Sequence, residues 1–334
     1  MTDIADSQPV KNAGKTEGRV PWIARLDLAA PLVLLILFAL VPAYAAAADD
    51  GFILSFVTRI MILAIAAISL DLILGYGALV SFGHAAFMGL GAYVMGIAAS
   101  HGMTELWLVL PLVLGISALF AAVTGAISLR TKGVYFIMIT LAFGQMTFFT
   151  ATSLSGYGGD DGMTLWDTTT MFGVEIFGND TVFYLVVLAV LVGVYLLCRA
   201  LVASRFGRVI RGTMENRERM AALGFDVFRF QLVAYIIAGM IAGLSGFLLA
   251  NHTEFVSPAY MSWQRSGELI IMVVLGGMGT LWGAVIGAIA FLTLEEVLSY
   301  VTRHWKMIFG PLIILVALYA QGGIAGFLKG RGRG

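Results

Sequence analysis

Charge is scarce in this chain, and cysteine is nearly absent. Asp, Glu, Lys and Arg make up 12% of the 334 residues, against about 25% in a soluble globular chain. So little charge cannot clothe a water-soluble globule of this length. Cys198 is the only cysteine, which excludes an intramolecular disulfide and zinc clusters of the cysteine-rich kind. No G-x-x-x-x-G-K-[S/T] occurs, so the chain holds no ATP in a P-loop. No G-x-G-x-x-G follows a strand pattern, and neither H-E-x-x-H nor G-x-S-x-G is present. Asp160-Asp161 is a lone acidic pair without ligand spacing. The expectation is a chain that is not an enzyme, with no catalytic, cofactor or metal residues and no nucleic-acid partner.

What is abundant is apolar sequence. Hydrophobic residues make up 60% of the chain, where a soluble domain has about 45–50%. Lipid must be the solvent over most of its length. Apolar runs occupy 28–48, 52–74, 78–100, 106–127, 133–153, 181–203, 231–250, 268–275, 281–301 and 308–328. All but 268–275 reach the ~20 residues needed to span a bilayer as a helix. That one is either a short helix with a glycine break at Gly276-Gly277 or a re-entrant piece. Pro42-Ala43-Tyr44-Ala45-Ala46 also has the small-residue character of a signal-peptide cleavage region, and a retained first helix is the reading preferred. The fold expected is an all-α, polytopic transmembrane helical bundle of about ten spans.

Lys and Arg set orientation. The polar stretch 1–20 reads as a disordered cytoplasmic tail, and 21–334 as a single transmembrane domain. Alternation then places the acidic loop 154–180 outside and the loop 204–230, with its six arginines, inside. Counting 268–279 as a crossing puts Lys329, Arg331 and Arg333 inside, so both termini are cytoplasmic. Arg303, His304 and Lys306 then fall outside, against the rule. Leu74-Gly75-Tyr76-Gly77 and Leu275-Gly276-Gly277-Met278-Gly279 each separate two runs, a hint of the internal repeats with broken helices found in transporters.

The loop 204–230 carries the clearest functional signal. Thr213 to Gly224 reads as a short helix, with Thr213 as N-cap, Glu215 in the first turn and Gly224 ending it in the left-handed conformation. A capped helix between two spans suggests a docking element for a cytoplasmic partner, with Thr213, Glu215, Asn216, Arg217, Arg219, Ala222, Leu223 and Gly224 as its candidate residues. A basic loop that merely fixes topology is the plainer alternative. Gly279, Gly283 and Gly287 recur every four residues, as do Gly239 and Gly243, which is the spacing of a close helix-packing stripe. Ser81, His84 and Gln145, with Tyr76, are the polar candidates for a translocation path, since an intramembrane ionisable or amide group needs a partner or a wet cavity. Arg59 and Asp71 lie ~18 Å apart along one helix, cannot pair, and are expected to snorkel toward its ends. Glu295 and Glu296 are expected to face water.

Several blocks, in order from about residue 69 to 292, resemble the permeases of branched-chain amino acid ABC importers. They are Gly75-Tyr76-Gly77 through Ser81-Phe82-Gly83-His84 to Tyr93, Gly133-Val134-Tyr135-Phe136 with Thr140 to Phe143, and Gly158-Gly159-Asp160-Asp161-Gly162. Ser204 to Gly224 and Val274 to Thr280 with Trp282-Gly283-Ala284 complete the set. Ala284 departs from the pattern, where proline is expected in many relatives. The resemblance implies a multi-pass subunit of the bacterial inner membrane. It also implies a second homologous permease, two cytoplasmic ATPase subunits that meet loop 204–230, and a periplasmic or surface binding protein. The cargo implied is branched-chain or related hydrophobic amino acids, with urea, short-chain amides or other small organic acids as the alternative. An ion-coupled secondary transporter would need more ionisable groups at mid-depth than the sequence offers.

Overall fold

The computed structural model describes residues 21–328 except 49, 167, 172–173, 176, 302–303, 305–306 and 312–321. The tail 1–20, the basic stretch 329–334 and the middle of the run 308–328 lie outside the described residues. The chain is almost entirely helical. Its helices are α1 (Pro21–Ala48), α2 (Gly51–Leu74), α3 (His84–Ser100), α4 (Leu106–Ser128), α5 (Val134–Ser153) and α6 (Asp180–Ala203). They continue with α7 (Arg205–Glu215), α8 (Arg217–Ala222), α9 (Val227–Thr253), α10 (Trp263–Gly276), α11 (Leu281–Val301) and α12 (Gly323–Leu328). Among the described residues, 7 helices are long and apolar enough to cross a membrane: α1, α2, α4, α5, α6, α9 and α11.

Polar side chains cap the first turns of several of these helices. Asp50 accepts from the Phe52 N–H at 3.0 Å and Asn179 from the Thr181 N–H at 3.0 Å. Asp226 does the same for α9 and Ser262 for α10. Each satisfies a backbone donor that the first turn leaves free. Helices α2 and α9 form the centre. From Met61 to Leu74 every residue of α2 is buried, as a helix apolar on all sides requires. Helices α3 and α4 pack on α9, while α6, α10 and α11 pack on α2.

Small residues set the distances. A Cβ on Gly91 would fall 1.9 Å from the Gly243 carbonyl oxygen, and one on Gly246 1.7 Å from that of Met88. The backbones of α3 and α9 therefore touch directly. Gly239 lies against Ala121 and Phe87, and Gly243 against Ser117. Gly287 meets the Met272 carbonyl of α10, and Gly283 that of Gly276. Gly279 is not on that helical stripe. It precedes α11 with φ +72°, because the chain there turns back on itself.

Two stretches depart from the continuous spans expected. Residues 75–83 are not helical, so the run 78–100 becomes a helix of 17 residues starting only at His84. Helix α10 starts earlier than its apolar run, at Trp263, and covers 14 residues, or about 21 Å at 1.5 Å per residue. It is a short helix that ends at the glycine break Gly276-Gly277. On the far side, part of loop 154–180 is pinned by β1 (Met163–Thr164), which pairs antiparallel with β4 (Phe255–Val256) just after α9. The strands β2 (Thr170–Met171) and β3 (Val174–Glu175) form a second small antiparallel pair in the same loop.

Candidate translocation and coupling site

The two glycine-rich breaks meet. Asp71, one turn before the end of α2, is fully buried and does not snorkel. Its Oδ1 accepts from the Gly279 N–H at 2.8 Å across 208 residues of sequence. A Cβ on Gly75 would fall 2.1 Å from that same oxygen and 2.3 Å from the Gly279 nitrogen. Only glycine fits at 75, and the left-handed turn at Gly279 presents its N–H to the carboxylate. In hydrocarbon an unsatisfied backbone donor costs several kcal/mol, so Asp71 ties α2 to the start of α11.

Beyond this tie the chain runs through non-helical turns, with Ala78 at φ 53°, to α3. Gly83 sits where a Cβ would fall 2.2 Å from the Thr140 carbonyl oxygen, so 75–83 lies directly on α5. His84 opens α3, fully buried, with Nε2 2.8 Å from the Ser69 hydroxyl of α2. Its Nδ1 has no hydrogen-bond partner among the described residues. The Ala85 N–H donates to the buried Ser266 hydroxyl of α10 at 3.0 Å. The first turns of two short helices thus come together inside the bundle, the arrangement by which broken helices build sites in transporters.

Ser81 is buried three residues before His84. Tyr76 stands apart at the end of α2, with the Arg211 guanidinium carbon 5.0 Å from its ring centroid. Gln145 is half-buried on α5, next to the Gly144 that meets Gly83. Ser81 and His84 therefore belong to one region, and Tyr76 to another nearer α7.

A third group escaped the sequence reading. Arg265 and Glu268 on α10 form a half-buried ion pair at 2.7 Å. Arg59 of α2 and Glu295 of α11 lie within electrostatic reach of them. Glu295 does not simply face water, because its Oε2 is buried. A cavity of about 390 Å³ opens here, lined by Ser55, Arg59, His252, Tyr260 and Arg265 among others. Arg59 and Glu295 were each visible singly, but their grouping was not, because Arg265, Glu268 and Glu295 come from segments more than 200 residues away from Arg59.

The loop 204–230 forms two helices rather than one. Thr213 is not an N-cap. It is buried inside α7 with its hydroxyl on the Val209 carbonyl at 2.9 Å, which removes it from any docking face. Glu215 ends α7, and Asn216 caps α8 by accepting from the Arg219 N–H at 2.9 Å. Gly224 ends α8 with φ +87°. Gly207, Val209, Ile210 and Thr213 form the buried side of α7, while Arg205, Arg208 and Arg211 are exposed. Ile210 reaches to within contact of the position a Cβ on Gly77 would take. Helix α7 thus rests on the first break. At the far tip, Glu215, Asn216, Arg219, Ala222, Leu223 and Gly224 are exposed, and Arg217 half-buried. Leu223, 66% exposed beside exposed Met214 and Phe225, leaves an apolar tip uncovered by this chain.

A family model described as the branched-chain amino acid transport system permease component matches residues 52–318. The high-affinity branched-chain amino acid transport system permease protein LivM of Salmonella typhimurium is 26% identical over 290 residues, covering 80% of this chain and 68% of that protein. LivM of Escherichia coli is 26% identical over 294 residues with the same shares. The probable branched-chain amino acid transport permease protein LivH of Methanocaldococcus jannaschii is 31% identical over 144 residues, covering 40% of this chain and 42% of that protein. No solved structure matches the chain.

Proposed function

The chain belongs to the family of branched-chain amino acid transport permease components, and from that premise we propose that it is one of two homologous membrane subunits of an ATP-driven importer. Two cytoplasmic ATPase subunits supply the energy and an external binding protein delivers the cargo. The match to relatives named LivM and LivH supports a paired permease. The proposed topology has about ten spans in a bacterial inner membrane, with both termini and α7–α8 in the cytoplasm and loop 154–180 outside.

The observation that carries this reading is the seat of α7 on the first break. The exposed tip of α8 meets the ATPase. Closure of the ATPase pair pushes α7, and Ile210 against Gly77 and Arg211 over Tyr76 pass the push to 75–83. That stretch carries Ser81 and leads into His84. The tie from Asp71 to Gly279 moves α11 with it. The cargo is a branched-chain or related hydrophobic amino acid. The outer cavity beside Arg59, Arg265 and Glu268 offers both signs of charge to a zwitterion.

The test is uptake of labelled leucine by liposomes carrying the chain with its co-purified partners. Uptake that requires both ATP and the binding protein is expected. ATP hydrolysis stimulated by the binding protein, without leucine uptake, keeps the class and redirects the cargo to amides, urea or small organic acids. A second reading, an ion-driven carrier, draws on the buried Glu295 beside Arg59 and Arg265. Uptake on an ion gradient without ATP would select it and reject the importer.

A further inference from the structure

Two cavities at the break end of the bundle share three lining residues. The first, about 470 Å³, is lined by Tyr76, Tyr195, Arg199, Arg208, Arg211 and the 279–282 turn, among others. Among the described residues it holds three arginines, and no Asp or Glu lines it. The Asp71 carboxylate nearby is engaged by the Gly279 N–H. The second, about 330 Å³, is a groove between α1, α6 and α11 whose walls include Leu35, Phe38, Leu188, Leu191 and Val285. Among the described residues Arg199 is its only charged wall residue. Tyr195, Arg199 and Trp282 line both cavities, so the two adjoin as a channel apolar along the helices and strongly basic at its end.

We propose that this channel binds one anionic phospholipid, its phosphate among Arg199, Arg208 and Arg211 and an acyl chain along the α1–α6–α11 groove. Basic pockets between transmembrane helices on the cytoplasmic side are suited to anionic head groups. Guanidinium groups hold phosphate oxygens through paired N–H donors. An aromatic belt at the head-group level, here Tyr195 and Trp282, suits the junction of polar and apolar parts. The arginines belong to two elements, Arg199 to α6 and Arg208 and Arg211 to α7. The bound phosphate therefore bridges the membrane bundle and the helix that the proposed function moves. Only the assignment to the cytoplasmic leaflet rests on that function, since binding is measured without transport.

The experiment is native mass spectrometry of the purified, delipidated permease complex titrated with phosphatidylglycerol or with phosphatidylcholine of the same acyl chains. One phosphatidylglycerol is expected to bind at least fivefold more tightly than phosphatidylcholine. The double variant Arg199→Gln with Arg208→Gln should reduce that preference below twofold. Arg229→Gln, on the same basic loop but outside the channel, should leave it unchanged and so controls for loop charge. Glycerol phosphate at the same concentration should not displace the lipid. Equal binding of the two lipids, an unchanged preference in the double variant, or equal loss in Arg229→Gln overturns the proposal. Displacement by glycerol phosphate would make this a plain anion site, and displacement by leucine would give the channel to the cargo. Either result also overturns it.

Discussion

Replacing Asp71 with alanine is expected to cut ATP-dependent uptake by more than tenfold, while replacing it with asparagine should keep at least a third of it. The reason is the single acceptor that Asp71 offers to the Gly279 N–H at 2.8 Å, inside the bundle and away from water. Alanine leaves that donor without a partner, a cost of several kcal/mol in a lipid-buried setting. The chain escapes the cost only by opening the junction of the two breaks to solvent. Since each ~1.4 kcal/mol is a factor of ten in a population, even part of that cost depletes the working arrangement. Asparagine keeps a carbonyl oxygen at the same place. The check is uptake normalised to inserted protein, with a thermal-unfolding curve beside it. Normal uptake by Asp71→Ala would show that the tie is not needed. Equal failure of both variants would move the requirement from the acceptor to the charge.

The second large effect concerns the tip of the cytoplasmic helices. The double change Glu215→Lys with Glu218→Lys should lower uptake more than tenfold while the complex still hydrolyses ATP. Both side chains are exposed, so the membrane bundle should fold unchanged. Glu218 is in the first turn of α8, where an acid favours the helix dipole, and its loss there costs only about 0.3–1 kcal/mol. That cost does not explain a lost transport cycle. Reversal of two charges at a docking surface does, because like charges placed opposite each other repel the correct partner. The paired measurement is hydrolysis and uptake in the same proteoliposomes. Transport at the normal rate would remove the tip from the coupling path.

The bundle's helices were legible because lipid imposes long apolar runs, and the runs beginning near 52, 106, 133, 181 and 281 became helices close to their expected bounds. What escaped was the unwinding of 75–83. Leu79, Val80 and Phe82 are as apolar as any helix, and nothing in hydropathy distinguishes a partly buried irregular segment from a span. The start of α10 escaped for the opposite reason, since Gln264 and Arg265 look like loop. The glycines at 75 and 279 were noticed as punctuation. Their function as the two sides of one contact depends on a fold that joins segments 208 residues apart. Asp71 was misread for the same reason, as its partner is a backbone N–H that no side-chain pattern announces. The helical character of loop 204–230 was visible from its polar caps and its terminal glycine. Its division at Asn216 was not, because Thr213 and Asn216 are both acceptable caps and only burial of the α7 face chooses between them.

Whether α8 meets an ATPase can be tested with a cysteine in place of Leu223. The native Cys198 is buried, so the engineered thiol is the reactive one. Leu223→Cys should form a cross-link to the ATPase subunit in the assembled complex with a short bifunctional reagent, and ATP should change its yield. A thiol that stays open to maleimide in the assembled complex and forms no such cross-link would contradict the account.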